Sequence, residues 1–140
     1  MDISTDKAKL DIALIHSFLS EQSTWAINIP RVLVETSIQH SLCFGGYENG
    51  QQIAFARVVS DYATFAYLMD VFVLPEHQGR GLSKQLMQYI MDHPQLQGLR
   101  RFMLASSNAR GLYQKWGFQA LSKPEIMMEI NHPDIYKASK

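Results

Sequence analysis

Apolar residues recur at two periods along this 140-residue chain, and the changes between periods mark out its elements. Over residues 5–20 they fall at Leu10, Ala13, Leu14 and Phe18, the spacing of a helix face, with Thr5 as its expected cap. Pro30 suits the first position of a second helix, which carries Val32, Leu33 and Ile38 as far as His40. The period then shortens. Residues 42–47 and 51–59 read as strands around Glu48-Asn49-Gly50, and Asn-Gly is a strong hairpin signal. A turn at Ser60-Asp61-Tyr62 leads into a third strand over 65–73, stopped by Pro75. A helix over 82–93 sets Leu82, Leu86, Tyr89 and Ile90 on one face and is closed by Pro94. Residues 101–105 form a short strand. Asn108 is the expected cap of a short helix holding Leu112, Tyr113 and Trp116, with Gly117 at its stop. Residues 125–130 read as a last strand, and the tail after Pro133 as loosely held.

A strand, a crossover helix and another strand make a parallel pair, here following three antiparallel strands. The expected class is therefore α/β, an α+β mixed sheet with about four helices, in one domain over 1–140. Thirteen basic residues balance thirteen acidic ones, which argues against a dedicated nucleic-acid binder. Cys43 is the single cysteine; set between Leu42 and Phe44, it reads as a buried inert thiol with no disulfide partner. The histidines show no metal-ligand spacing, so no metal is expected. No apolar run approaches the roughly 20 residues of a membrane span, and no signal-like segment opens the chain. A cytoplasmic protein without membrane contacts is expected.

One stretch suggests chemistry. The β-rich run ending in Val71-Phe72-Val73 meets a loop with Gly79 and Gly81, and then a helix. Such a loop brings backbone N–H groups and a helix N-terminus to phosphate oxygens, and Arg80 and Lys84 add positive charge. A dinucleotide fingerprint fails because Lys84 stands at the third glycine position, and no Walker string occurs. Gln78-Gly79-Arg80-Gly81-Leu82-Ser83 instead resembles the Gln/Arg-x-x-Gly-x-Gly/Ala loop of the GNAT acetyltransferase superfamily, with Ser83 at the last position. Ala109-Arg110-Gly111-Leu112-Tyr113-Gln114-Lys115-Trp116-Gly117-Phe118 resembles that family's second motif at every fixed position. The order of elements is similar to the GNAT fold over nearly the whole chain.

The resemblance implies an N-acetyltransferase using acetyl-CoA as cosubstrate, with a primary amine, small molecule or protein lysine, as acceptor. It implies that Gln78, Gly79, Arg80, Gly81, Leu82, Ser83 and Lys84 hold the pyrophosphate. The backbone of Val71, Phe72 and Val73 would pair with the pantetheine arm. Tyr113 would be the general acid for the leaving thiolate: a phenol near pKa ~10 can protonate a thiolate near ~8.5. Ser106 stands where many members place a cofactor-binding asparagine. Asp70, a carboxylate in an apolar strand, is the candidate base, since burial raises a carboxyl pKa; packing or a water chain is the alternative. Trp25, Ile29, Tyr62 and Tyr67 are the acceptor-side candidates, with Asp61 and Glu125 as carboxylates for a cationic amine. Monomer and homodimer are both open. A non-catalytic acyl-CoA-binding or sensing module on the same fold is the rival reading.

Overall fold

The structure, a computed structural model, describes residues 1–139. Its sheet has the strand order β1 (Asp2–Ser4), β2 (Leu42–Glu48), β3 (Gln51–Ser60), β4 (Phe65–Val73) and β5 (Arg101–Leu104). Pairs from β1 to β4 are antiparallel, and β4 with β5 is parallel. The described helices are α1 (Ile12–Ser17), α2 (Arg31–Gln39), α3 (Leu82–Met91) and α4 (Arg110–Gln114). This is the expected mixed sheet with four helices.

Alternation along the strands builds a core on each face. Phe44, Ala54 and Leu68 pack with Leu82, Leu86, Met87 and Ile90 of α3 and with Tyr113 of α4. Their neighbours Cys43 and Phe55 point the other way, to Ile15, Leu19, Val34 and Ile38 of the α1–α2 layer. The β2–β3 hairpin turns at Asn49 and Gly50, both with positive φ (53° and 77°), as a tight primed turn requires.

Several expectations need correction. β1 was not legible, because three residues carry too little periodicity. The first helix is broken in two. Asp6 caps a short 3-10 turn at Lys7–Lys9, and Asp11, not Thr5, caps α1 by accepting from the Leu14 N–H at 3.0 Å. Past α1 the chain widens into a π turn over Phe18–Gln22, where the Ser23 N–H donates to the Phe18 carbonyl at 2.9 Å. Met87 rather than Tyr89 completes the buried face of α3. The tail is docked, with Tyr136 packed against the α1–α2 core.

The expected strand over 125–130 is not formed. A 3-10 turn at Pro124–Ile126 takes up its first two residues, Met127 is extended, and no described residue pairs with it. Its apolar alternation is that of a strand, but a strand exists only with a ladder partner.

Candidate active site

β4 and β5 run together only as far as Leu68 and Leu104. Beyond that point β5 has ended while β4 continues to Val73, so its outer side faces a cleft. The cleft has a volume of about 810 Å³ and is lined by Trp25, Tyr67, residues 69–73, Gln78, Ser83, residues 104–109 and Tyr113. A β-bulge accentuates the split. Arg57 pairs with Met69 and Phe55 with Phe72, so Asp70 and Val71 together oppose Ala56. Asp70 takes φ 54° to make the bulge, a conformation Asp tolerates better than most residues.

That bulge breaks the strand's alternation at Asp70. Leu68 lies in the α3 core but Phe72 in the α1–α2 core, although strict alternation would set them on one face. Asp70 is turned to the α1–α2 side. There its Oδ2 accepts from Arg57 Nε at 2.9 Å and its Oδ1 from Trp25 Nε1 at 2.8 Å. Arg57 also donates to Ser41 Oγ at 3.1 Å. Both carboxylate oxygens of Asp70 are already engaged by donors of this chain, which works against a role as proton acceptor.

At the other end lies the glycine loop. Gly79 and Gly81 have φ of 80° and 76°, and a Cβ on either would meet nothing within 4 Å. Backbone conformation therefore selects these glycines, and the space beside them is open. Gln78 Nε2 ties the loop to the Val73 carbonyl at 3.0 Å. No side chain caps α3, whose first helical bond runs from the Gln85 N–H to the Gly81 carbonyl. The N–H groups of Leu82, Ser83 and Lys84 thus remain for an anion, whereas the Leu82 side chain is committed to the core. Arg80 is not a free cation: Glu48 of β2 holds it with contacts of 2.6 and 3.0 Å, and His77 Nδ1 lies 3.1 Å away. The Lys115 ammonium sits against Lys84, which holds its pKa below the usual lysine value. Neither lysine has an ion pair among the described residues, so an anion between them would relieve the repulsion.

Tyr113 lies between the two ends, 8% exposed. Burial pushes its pKa above the ordinary phenol value, and its Oη makes no hydrogen bond among the described residues. Ser106 lines the cleft, and its Oγ accepts from the Ala109 N–H at 2.9 Å. Ser106, rather than the expected Asn108, thus secures the start of α4. Of the acceptor-side candidates, Trp25 and Tyr67 line the cleft, while Ile29 and Tyr62 lie outside it. Ile29 packs in the α1–α2 core and Tyr62 sits in the β3–β4 turn. Asp61 is consumed by that turn: bonds from the Thr64, Ala63 and Phe65 N–H groups and the Thr64 hydroxyl hold its pKa far below the carboxylate range. Glu125 is exposed and likewise outside the cleft.

A split between parallel strands, an uncapped glycine-led helix and a buried tyrosine border one cleft. The family model for the Acetyltransferase (GNAT) family matches residues 12–118. The chain belongs to the GNAT acetyltransferase family. A Gibberella zeae protein named as an acetyltransferase, FG08082, is 33% identical over 135 residues, covering 81% of this chain and 75% of that protein. A crystal structure from Xanthomonas campestris pv. campestris, described as belonging to the GNAT family, is 59% identical with a TM-score of 0.95. It covers 96% of this chain and 95% of that one. An acetyltransferase structure from Clostridium acetobutylicum containing acetyl-CoA shares the fold at TM-score 0.69 and 20% identity, covering 93% and 95% of the two chains.

Three residues of this GNAT site were missed by sequence reasoning. Arg57 lies on β3 and Ser41 just before β2, far from both motifs in the chain, and neither carries a local signal. Lys115 lies inside the second motif, and the charge of the motif was the available clue. Among the described residues no cluster of His, Cys, Asp or Glu is placed to hold a metal.

Proposed function

We propose that this GNAT protein acetylates a primary amine by direct attack in a ternary complex, with acetyl-CoA as donor. The observation that carries the reading is the cleft itself, which has the anion-binding start of α3 at one end and Tyr113 in its wall. Acetyl-CoA supplies the acetyl group as a thioester. The free N–H groups at the start of α3 and the Lys84–Lys115 pair suit its phosphates. The outer side of β4 at Val71, Phe72 and Val73 offers backbone groups for strand-like pairing with the pantetheine amides, and an N–H to polarise a carbonyl.

Tyr113 is the general acid. Its Oη gives its proton to sulfur as the amine nitrogen bonds to the acetyl carbon and the C–S bond breaks. Burial, by raising its pKa, keeps that proton in place at neutral pH. Asp70 fixes the Trp25 ring through the bond from the indole N–H to its Oδ1. Its ion pair with Arg57 favours this role over proton removal, which falls to water.

Thiol release from acetyl-CoA across a panel of amines tests the activity, and single-turnover kinetics of Tyr113→Phe test the acid. The variant keeps the ring and should lose about 10²–10⁴ in rate, with acetyl-CoA affinity little changed in calorimetry. A wild-type single-turnover rate would remove the general-acid role. Tight CoA binding with no thiol release to any amine would favour the sensing module.

A further inference from the structure

Among the described residues lining the cleft, Asp70 is the single charged side chain, and its charge is spent within the protein. Its Oδ2 accepts from Arg57 Nε at 2.9 Å and its Oδ1 from Trp25 Nε1 at 2.8 Å. Arg57 is spent in turn. Its Nη1 donates to Ser41 Oγ at 3.1 Å and its Nη2 to Met69 Sδ at 3.5 Å. Lys84 and Lys115 belong to the glycine-loop end. The wall around Trp25 and Asp70 therefore offers no free carboxylate to a second ammonium, and no free cation to a carboxylate or phosphate. A charge carried in there would leave water without a partner to replace it.

The same wall offers ring and thioether surface instead. Trp25 is 52% exposed although its indole N–H is bonded, so the polar edge of the ring is fixed while its faces stay open. Tyr67 and Met69 alternate with Leu68, which packs in the α3 core, and so point out of the opposite face of β4. Both line the cleft, and Met69 is 37% exposed. Phe18, stacked on Phe72 with ring centroids 4.0 Å apart, continues this surface. An indole already held in place loses little side-chain freedom when a second ring covers it.

We infer that the acceptor is a primary amine on an uncharged aromatic body, an arylalkylamine, with its ring against Trp25 and its nitrogen directed along the cleft towards Tyr113. The inference rests on the acetyl-transfer reading of the cleft and narrows the amine. Polyamines, amino acids and amino-sugar phosphates each bring a second charge for which no partner stands free. Arg57 is a positioning residue in this arrangement: it holds Asp70, and Asp70 holds the indole.

Two matched pairs of amines test the acceptor. Phenethylamine and phenylalanine differ by one carboxylate, and hexylamine and cadaverine by a terminal methyl against a second ammonium. With acetyl-CoA saturating, kcat/KM for thiol release should be about 10²-fold higher for the uncharged member of each pair, with phenethylamine the best of the four. Trp25→Ala should act through KM rather than kcat, raising KM for phenethylamine about tenfold, and Trp25→Phe should restore most of the loss. Thr24→Arg changes an exposed residue that lines the cleft; it adds the missing cation and should narrow the gap between phenylalanine and phenethylamine. Calorimetry of phenethylamine with the CoA-loaded protein separates the acceptor from the chemistry. Binding that is lost in Trp25→Ala, without thiol release to any amine, would uphold the acceptor site and remove the acetyl-transfer reading. Phenylalanine or cadaverine turning over faster than its uncharged partner would overturn the inference while leaving acetyl transfer in place. Hexylamine equal to phenethylamine, with KM unchanged in Trp25→Ala, would overturn it as well. Phenethylamine that neither binds nor is acetylated overturns it outright.

Discussion

Arg57 and Asp70 meet at 2.9 Å beneath the acceptor end of the cleft, with side chains 11% and 8% exposed. Arg80 and Glu48 meet at 2.6 Å beside the glycine loop, with side chains 47% and 24% exposed. The chemistry of the two pairs is the same, and their surroundings make them different devices. In the buried pair neither charge can return to water, so each depends on the other and the bulge at Asp70 is locked with them. In the exposed pair water can replace either partner at little cost. On the proposed function that pair bears on ligand binding, because Glu48 occupies a guanidinium beside the glycine loop.

Breaking the buried pair should have the largest effect. Arg57→Ala strands the Asp70 carboxylate and should cost about 3–5 kcal/mol of stability, read as a lowered urea midpoint. The double variant Arg57→Met/Asp70→Leu should recover much of the lost stability, because an apolar pair leaves no charge stranded, while remaining poor in turnover. An Arg57→Ala midpoint equal to wild type would erase the distinction between the pairs.

Glu48→Gln should leave the midpoint where it is and act on binding instead. With Arg80 released, CoA affinity should rise, and its dependence on salt should steepen as one more cation meets phosphate. Unchanged affinity and salt slope would mean that Arg80 does not reach the ligand.

The smallest effect is a pH dependence. The hydrogen bond from Arg80 depresses the Glu48 pKa below its ordinary value of 4.5. A depressed carboxyl contributes its ion pair above the unfolded value and loses it as pH falls through the folded one. The difference in CoA affinity between wild type and Glu48→Gln should therefore hold at neutral pH and vanish only as pH falls through the depressed Glu48 pKa, which lies below 4.5. A difference that persists there would assign it to packing rather than charge.

The glycine loop was legible because its cause is local. Gly79 and Gly81 take positive φ, and residue type reports that directly. The environment of Asp70 was not legible. Strand alternation puts it with Leu68 and Phe72, and a single bulge, fixed by how β3 and β4 pair, turns Phe72 to the other core and Asp70 to Arg57. Ile29 and Tyr62 failed for a related reason: apolar and aromatic residues suit a pocket wall and a core equally, and packing decides between them. Ser106 and Asn108 both suit a helix start, and the path of the chain after β5 gave the role to Ser106.

By itself the sequence determined the family, the order of elements from α1 to α4, the glycine loop before α3 and the place of Tyr113 on α4, since each rests on neighbours in the chain or on short motifs. Tertiary structure decided which charges are paired, which aromatic residues reach the cleft and whether residues 125–130 have a partner. Those outcomes depend on contacts between residues far apart in the chain, such as Arg57 with Asp70 and Glu48 with Arg80. A hydrophobic pattern states that a strand can form, but a backbone ladder needs a second strand, and only the folded sheet shows where an edge stands open.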